Sequence, residues 1–280
     1  MNAKQVLGLC LWGALGVSVF PANATQIKIE VENKSAVGGV FFTPVWMGFH
    51  DGSFDTFDVG SAASPELERL AEDGNPAPLS AALGATQATA IGSVLTAPAG
   101  FPGAPVFDPG DVASAVFDLD VTMHQFFSYA SMIIPSNDAF FGNANPLALF
   151  DAMGAFVGDM TIGIFGSNIY DAGTEDNTEN DAAFLNQLAA NTGDTTVGGV
   201  INQHPGFLPG GNILGGTNGA GVFFDPILAD FARNNGLTEI AQIRITQVPE
   251  PGSLALLLIG SLGIGAAIRK RKARAEQLAA

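Results

Sequence analysis

Carboxylates dominate the residues of this chain that could do chemistry. Between Thr25 and Val248 there are 25 acidic residues against five basic ones, Lys28, Lys34, Arg69, Arg233 and Arg244. The single cysteine, Cys10, lies in the N-terminal apolar stretch, so the rest of the chain has no thiol nucleophile, thiolate zinc site or disulfide. His50, His124 and His204 are far apart and lack metal-ligand spacing, and His124 reads as a structural histidine flanking an alternating strand. No Gly-x-Ser-x-Gly elbow, phosphate-binding loop or HExxH motif occurs. Asp118 and Asp120 share one strand face, as solvated residues do. Asp138 and Asp171 are different. Asp138 follows an apolar run directly, in a Pro-Ser-Asn-Asp turn, and Asp171 lies where another strand ends in Asp-Ala-Gly-Thr. Carboxylates at loop tips can ligate a hard cation, calcium taking six to eight oxygens. They can equally bond the amides of their own turn. The loop from Asp171 is not an EF-hand, whose sixth position is glycine where this chain has Asp176.

Strands are the elements that must position these residues. Ile27, Ile29 and Val31 alternate with Lys28, Glu30 and Glu32 over Thr25 to Glu32, the pattern of a half-buried strand. Val40 to Phe49 predicts a second strand, interrupted at Pro44 and hence an edge or a bulge. Ser64-Pro65 opens a helix with Ser64 as N-cap, Leu67, Leu70 and Ala71 as its stripe, and Gly74 as its stop. Leu79 to Leu83 adds another helical turn, and residues 84 to 111 read as strand fragments joined by loops. Val116 to Thr122 alternates again, Phe126 to Ile134 reads as a strand covered on both faces, and Val157 to Phe165 is a further strand. Ala182 to Ala190 has helical spacing through Phe184, Leu185 and Leu188. Gly193 to Gly221 reads as a long surface loop, Asp225-Pro226 opens a short helix ending near Gly236, and Thr238 to Val248 is the closing strand. The sum is mainly β, an antiparallel sandwich with a few short helices.

Both ends carry signals. Lys4, the apolar run Val6 to Phe20 and the small-x-small site Ala22-Asn23-Ala24 form a secretory signal over residues 1–24, cleaved before Thr25. Residues 249–280 hold Pro249, Glu250 and Pro251, an apolar run from Leu254 to Ile268, and the basic cluster Arg269, Lys270, Arg271, Lys272 and Arg274. That run is short beside the roughly 17–25 residues of a permanent span, and its basic flank faces the cytoplasm. The order resembles the PEP-CTERM sorting signal. The resemblance implies a segment held transiently in the inner membrane as a hydrophobic helix until an exosortase-type enzyme processes it.

Three blocks of residues 25–248 resemble the spondin N-terminal domain of F-spondin and mindin. The first runs from His50 through Phe54 to Gly60 and Ala63-Ser64-Pro65-Glu66-Leu67 to Glu72. The second, and most specific, is Ser131-Met132-Ile133-Ile134-Pro135-Ser136-Asn137-Asp138-Ala139-Phe140-Phe141-Gly142, and the third is Tyr170-Asp171-Ala172-Gly173-Thr174-Glu175-Asp176. The strands at Thr25 and Thr238 match the family's ends. The chain departs from the family's pattern at Asn137 and Ala139 and in the insertion Gly193–Gly221. The resemblance implies a C2-like antiparallel sandwich with calcium held by loops at one end. Asp138 and Asp171 are then its ligands, with Glu175 or Asp176 as the third. It implies adhesion or association with extracellular matrix, without catalysis, the partner being an extracellular polysaccharide or a surface protein. Nucleic acid is not a partner, since so acidic a domain repels it. An extracellular hydrolase of matrix polysaccharide is the alternative, and two carboxyls converging across a cleft would favour it.

Overall fold

Strand periodicity dictates most of the architecture. The computed structural model describes residues 24–97, 101, 104–193 and 195–249. The apolar face of β1 (Ala24–Asn33) puts Ile27, Ile29 and Val31 wholly inside, while Lys28, Glu30 and Glu32 stay partly exposed. It is followed by β2 (Phe41–Phe42), β3 (Val45–His50), α1 (Pro65–Asp73), α2 (Ala77–Thr86), β4 (Ile91–Leu95) and β5 (Val112–Asp120). Then come β6 (Phe126–Ile134), β7 (Ala139–Gly142), β8 (Leu147–Ala148), β9 (Met160–Phe165), β10 (Ile169–Asp171), β11 (Asn202–Gln203) and β12 (Glu239–Gln247). A four-stranded sheet runs β5-β1-β12-β9, and a larger one runs β11-β10-β7-β6-β3-β4, with β2 and β8 also paired to β6. Every strand pairing in them is antiparallel.

The two sheets bury one core between them. Ile27, Ile29, Ile243 and Ile245 from the small sheet pack in one cluster with Phe42, Met47, Phe49, Phe127 and Phe141 from the large one. The alternate residues of the large sheet, Trp46, Ala130 and Phe140, point the other way into a second cluster with Leu67, Leu70, Leu79 and Leu83 of α1 and α2. The large sheet is therefore covered on both faces, which is why β6 reads as an unbroken apolar run. The chain is mainly β, as its periodicity implies.

Local signals set α1. Ser64 Oγ accepts a hydrogen bond from the Leu67 amide, Pro65 occupies the first turn, and Gly74 ends the helix in the left-handed region at φ 64°.

Four expectations are corrected. Pro44 marks no edge: it falls in the gap between β2 and β3, and β3 is an interior strand between β4 and β6. Residues 182–190 form turns instead of a helix, with Phe184 at φ 68°. Side chains take the place of the helical ladder there, Asn186 Oδ1 accepting from the Ala182 amide and Asp181 Oδ1 from the Leu188 amide. No regular helix follows Asp225 either. Asp225 Oδ1 caps the amides of Ile227 and Leu228, and the single turn Arg233–Gly236 is broken by left-handed Asn234 and Asn235. Gly193 to Gly221 does not merely lie on the surface, because it supplies β11 and buries Ile201, His204, Phe207 and Ile213.

Of the end signals, Ala24 is the first residue of β1, opposite Asp120, and Pro249 is the last described residue. Ala22, Glu250, Pro251, the N-terminal signal helix and the C-terminal hydrophobic helix lie outside the described residues. Among the described residues no helix is long and apolar enough to cross a membrane.

Candidate functional site

The register of two strands brings Asp138 and Asp171 together. β7 starts directly after Asp138, and its pairing with β10 sets Asp171 opposite Ala139. The connection is tightened by the Ala172 amide, which donates to the Asp138 carbonyl at 3.3 Å. The turn before β7 is held by Ser136, whose Oγ donates to the Ile133 carbonyl and accepts from the Ala139 amide.

Asp138 is fully buried. Its Oδ2 accepts from the amides of Thr174 (2.8 Å) and Glu175 (3.1 Å) and from Thr174 Oγ1 (3.2 Å), while its Oδ1 has no partner among the described residues. Burial, then the charge of Asp171, push its carboxyl up to about 6 despite those three donors. Asp171 closes its own turn, Oδ1 accepting from the Gly173 amide at 2.7 Å. Its Oδ2 accepts from Asn177 Nδ2. Asn177 Oδ1 in turn takes a hydrogen bond from His204 Nε2 at 3.1 Å, because His204 Nδ1 accepts from the Gly206 amide and so fixes the proton on Nε2. Burial pushes His204 down to about 4, which keeps it neutral.

The backbone-bracing use of a turn aspartate is thus present. Asp171 Oδ1 and Asp138 Oδ2 brace backbone, and Asp138 Oδ1 is left over. An unpartnered buried carboxylate oxygen beside a second carboxylate is the arrangement a cation would stabilise.

Glu175 and Asp176 do not join them. Asp176 Oδ1 accepts from Thr196 Oγ1 at 2.7 Å and braces the following loop. The Glu175 carboxylate turns to Asn137 Nδ2 (3.3 Å) and lies against Gly193, where an added Cβ would come within 2.3 Å of Oε1. No three His, Cys, Asp or Glu side chains among the described residues are grouped to hold a metal. A calcium ion here would therefore rest on two carboxylates, completed by carbonyls and water, a donor set compatible with its oxygen preference.

Glu175 belongs to a neighbouring feature, a cleft of about 330 Å³ between α1 and residues 191–193 and 195–199. Glu68 and Glu72 line one wall and Gly193, Thr195 and Thr196 the other. Burial, then the charge of Glu72, push Glu175 up to about 8, and Glu72 is raised for the same first reason. Arg69 cannot neutralise them both, since it is paired with Glu72 and Asp73. Periodicity gave no sign of this cleft, nor of the Asn177–His204 brace behind Asp171, which lies next to the β10–β11 pairing that sets Asp171 opposite Asn202.

These ionisations set a pH dependence. A raised carboxyl keeps a proton in the folded state that the unfolded chain has lost, so its contribution to stability is full at low pH and is lost as pH rises. His204 and His50, both lowered by burial, act in the opposite sense below about 6.5. Asp138, raised to about 6, acts in the same sense as Glu175, and from about pH 7 to 8 the Glu175 effect dominates. In chelator, stability is expected to fall across that window by at most about 1.4 kcal/mol per pH unit. Glu175→Gln should flatten the slope, and an unchanged slope in denaturant melts would contradict the assignment.

The other histidines are structural. His50 Nδ1 accepts from the Gly52 amide and its Nε2 meets Ser128 Oγ at 3.1 Å. His124 Nδ1 accepts from the Asp120 amide, and its Nε2 donates to the Thr89 carbonyl at 2.8 Å.

A two-sheet antiparallel body with an acidic pair at the β6–β7 and β10 turns is the class of protein defined by this geometry. Residues 39–192 match the Spondin_N family, more than half of the chain, and the protein belongs to that family. The match stops short of β1 and β12, the two central strands of the small sheet. Residues 247–272 match the PEP-CTERM protein-sorting motif, which marks an exported protein, anchored transiently in the membrane and processed by an exosortase. No curated protein matches the chain.

Proposed function

We propose that this exported protein is a calcium-stabilised binding module of the cell surface or extracellular matrix, associating with exopolysaccharide or a surface protein and carrying out no catalysis. The observation behind the reading is the unpartnered, buried Oδ1 of Asp138 beside Asp171. Asp138 and Asp171 would hold the ion, which would supply counter-charge and tie the β6–β7 turn to the end of β10. Asn177 and His204 would keep Asp171 in place.

The test is a thermal melt of residues 25–248 in calcium and in chelator. At a hundredfold excess over the dissociation constant, binding adds about 2.7 kcal/mol to the stability of the folded state. Asp138→Asn and Asp171→Asn should each abolish the gain. A wild-type melt indifferent to calcium would reject the proposal.

The cleft favours one second reading. Glu72 and Glu175 meet there as two buried carboxyls, an arrangement a polysaccharide hydrolase uses. Release of reducing ends from a matrix polysaccharide, lost in Glu175→Gln, would move the assignment to that class.

A further inference from the structure

We propose that the cleft between α1 and residues 191–193 and 195–199 binds an amino sugar bearing a free ammonium group, the unit presented by a de-N-acetylated matrix polysaccharide. Its volume, about 330 Å³, is at the lower end of small-molecule clefts, roughly 300–1,000 Å³, and admits a small polar ligand.

The charge of the cleft selects the ligand's sign. Glu68, Glu72 and Glu175 line it, Glu72 and Glu175 are 5% and 6% exposed, and no basic residue lines it among those described. Arg69 lies on the same helix but is held by Glu72 and Asp73. Asn137 gives Glu175 one neutral hydrogen bond, so a cationic ligand would supply charge that the protein leaves out.

The neutral lining selects the rest of the ligand. Asn191, Thr192, Thr195 and Thr196 offer an amide and hydroxyls, matching the hydroxyls of a sugar ring. Apart from the methyls of threonine, the only apolar side chains in the lining among the described residues are Ala62 and Ala63, too small to sheathe the butyl chain of a lysine.

The walls are built to hold this shape. Asp73 at the end of α1 accepts hydrogen bonds from the Asn191 amide at 2.9 Å and from Gln187 Nε2 at 3.4 Å, tying helix to loop. Gly193 at φ +127° leaves the space that the Glu175 carboxylate occupies.

The saccharide part of this inference rests on the matrix association proposed above, whereas calcium does not enter it. Failure of ammonium selectivity therefore leaves the calcium-dependent melt standing, and a melt indifferent to calcium leaves the cleft untouched. The test is calorimetric titration of residues 25–248, whose first and last strands pair and close the sandwich. The probes are a glucosamine tetrasaccharide, its fully N-acetylated counterpart and lysine amide, at physiological ionic strength.

The glucosamine oligomer should bind at least about tenfold more tightly than the acetylated one, about 1.4 kcal/mol, since acetylation removes the charge that the glutamates would pair. Glu175→Gln and Glu72→Gln should each remove that preference. Asp118→Asn, on the exposed face of β5, should change nothing. The two glutamate variants guard against one failing to fold.

Equal binding of the two oligomers, or no binding by either, would overturn the proposal. So would a loss in Asp118→Asn matching that in Glu175→Gln, which would mean general charge attraction. Tighter binding of lysine amide would point to a peptide partner instead, and displacement of the oligomer by calcium alone would point to a metal.

Discussion

Glu179→Ala is expected to cost about 3–5 kcal/mol and to release the segment 206–216 from the body of the protein. Glu179 is 2% exposed, and its carboxylate caps two backbone amides far along the chain, Leu208 at 2.6 Å and Ile213 at 2.9 Å. Alanine would leave both donors without an acceptor, at about 1–3 kcal/mol each, or more where the lost acceptor is charged. The residue is gripped from the other side as well. Its amide donates to Asn137 Oδ1 at 3.0 Å, and its carbonyl accepts from Asn186 and Asn212. Gly211 has no side chain because a Cβ there would stand 2.2 Å from Glu179 Oε2. Glu179→Gln keeps one carbonyl acceptor but turns an N–H₂ toward the other donor, so it should recover only part of the loss. Denaturant unfolding measures the cost, and amide hydrogen exchange at Leu208 and Ile213 reads the local release. Unchanged protection at those two amides in Glu179→Ala would show that the carboxylate does not hold the loop. Because Gly206 fixes the His204 proton, and His204 braces Asn177 and through it Asp171, the same variant should also reduce the calcium-dependent gain.

What could be read from the chain alone follows a physical division. α1 was legible because its cues are local, Ser64, Pro65 and Gly74 acting on neighbouring amides. β1 and β12 were legible because one face meets a core and the other meets water, so Ile29 and Ile245 alternate with Glu30 and Arg244. β6 was legible as doubly covered, although nothing local shows that α1 and α2 are the cover. Asp138 and Asp171 stood out because their turns follow strands. Their adjacency depends on the β7–β10 register, and the diversion of Glu175 toward Asn137 depends on the loop at Gly193. The helix expected over 182–190 failed for a chemical reason: Asp181 and Asn186 offered side-chain partners that competed with the helical ladder. Glycine-rich composition concealed Ile201, His204, Phe207 and Ile213. Each is an isolated anchor pinned by contacts distant in sequence, which periodicity does not register.

Trp46→Ala is expected to destabilise the fold by about 3–5 kcal/mol, and through it to disturb the helical wall of the cleft. The indole is fully buried on the outer face of the large sheet, in the cluster that includes Leu67, Leu70, Leu79 and Leu83. Its ring lies 5.9 Å from that of Phe54, and Nε1 donates to Ser80 Oγ of α2 at 3.0 Å. The sheet makes room for it. Ala130 is its small partner across the strand pair, and a Cβ on Gly48 would meet the indole at 2.8 Å. Truncation removes the largest side chain of this second cluster and strands a hydroxyl, while the core between the two sheets keeps Ile29, Phe42, Phe127 and Ile245. The helices should therefore loosen before the sandwich does. Exchange protection should fall in α1 and α2 more than in β1 and β12, and ligand binding in the cleft should weaken because Glu68 and Glu72 ride on α1. The calcium gain at Asp138 and Asp171 should persist, since β7 and β10 hold those residues by strand pairing. Uniform loss of protection across both sheets and both helices would mean instead that the two clusters unfold as one cooperative unit, and that the cleft wall has no stability of its own.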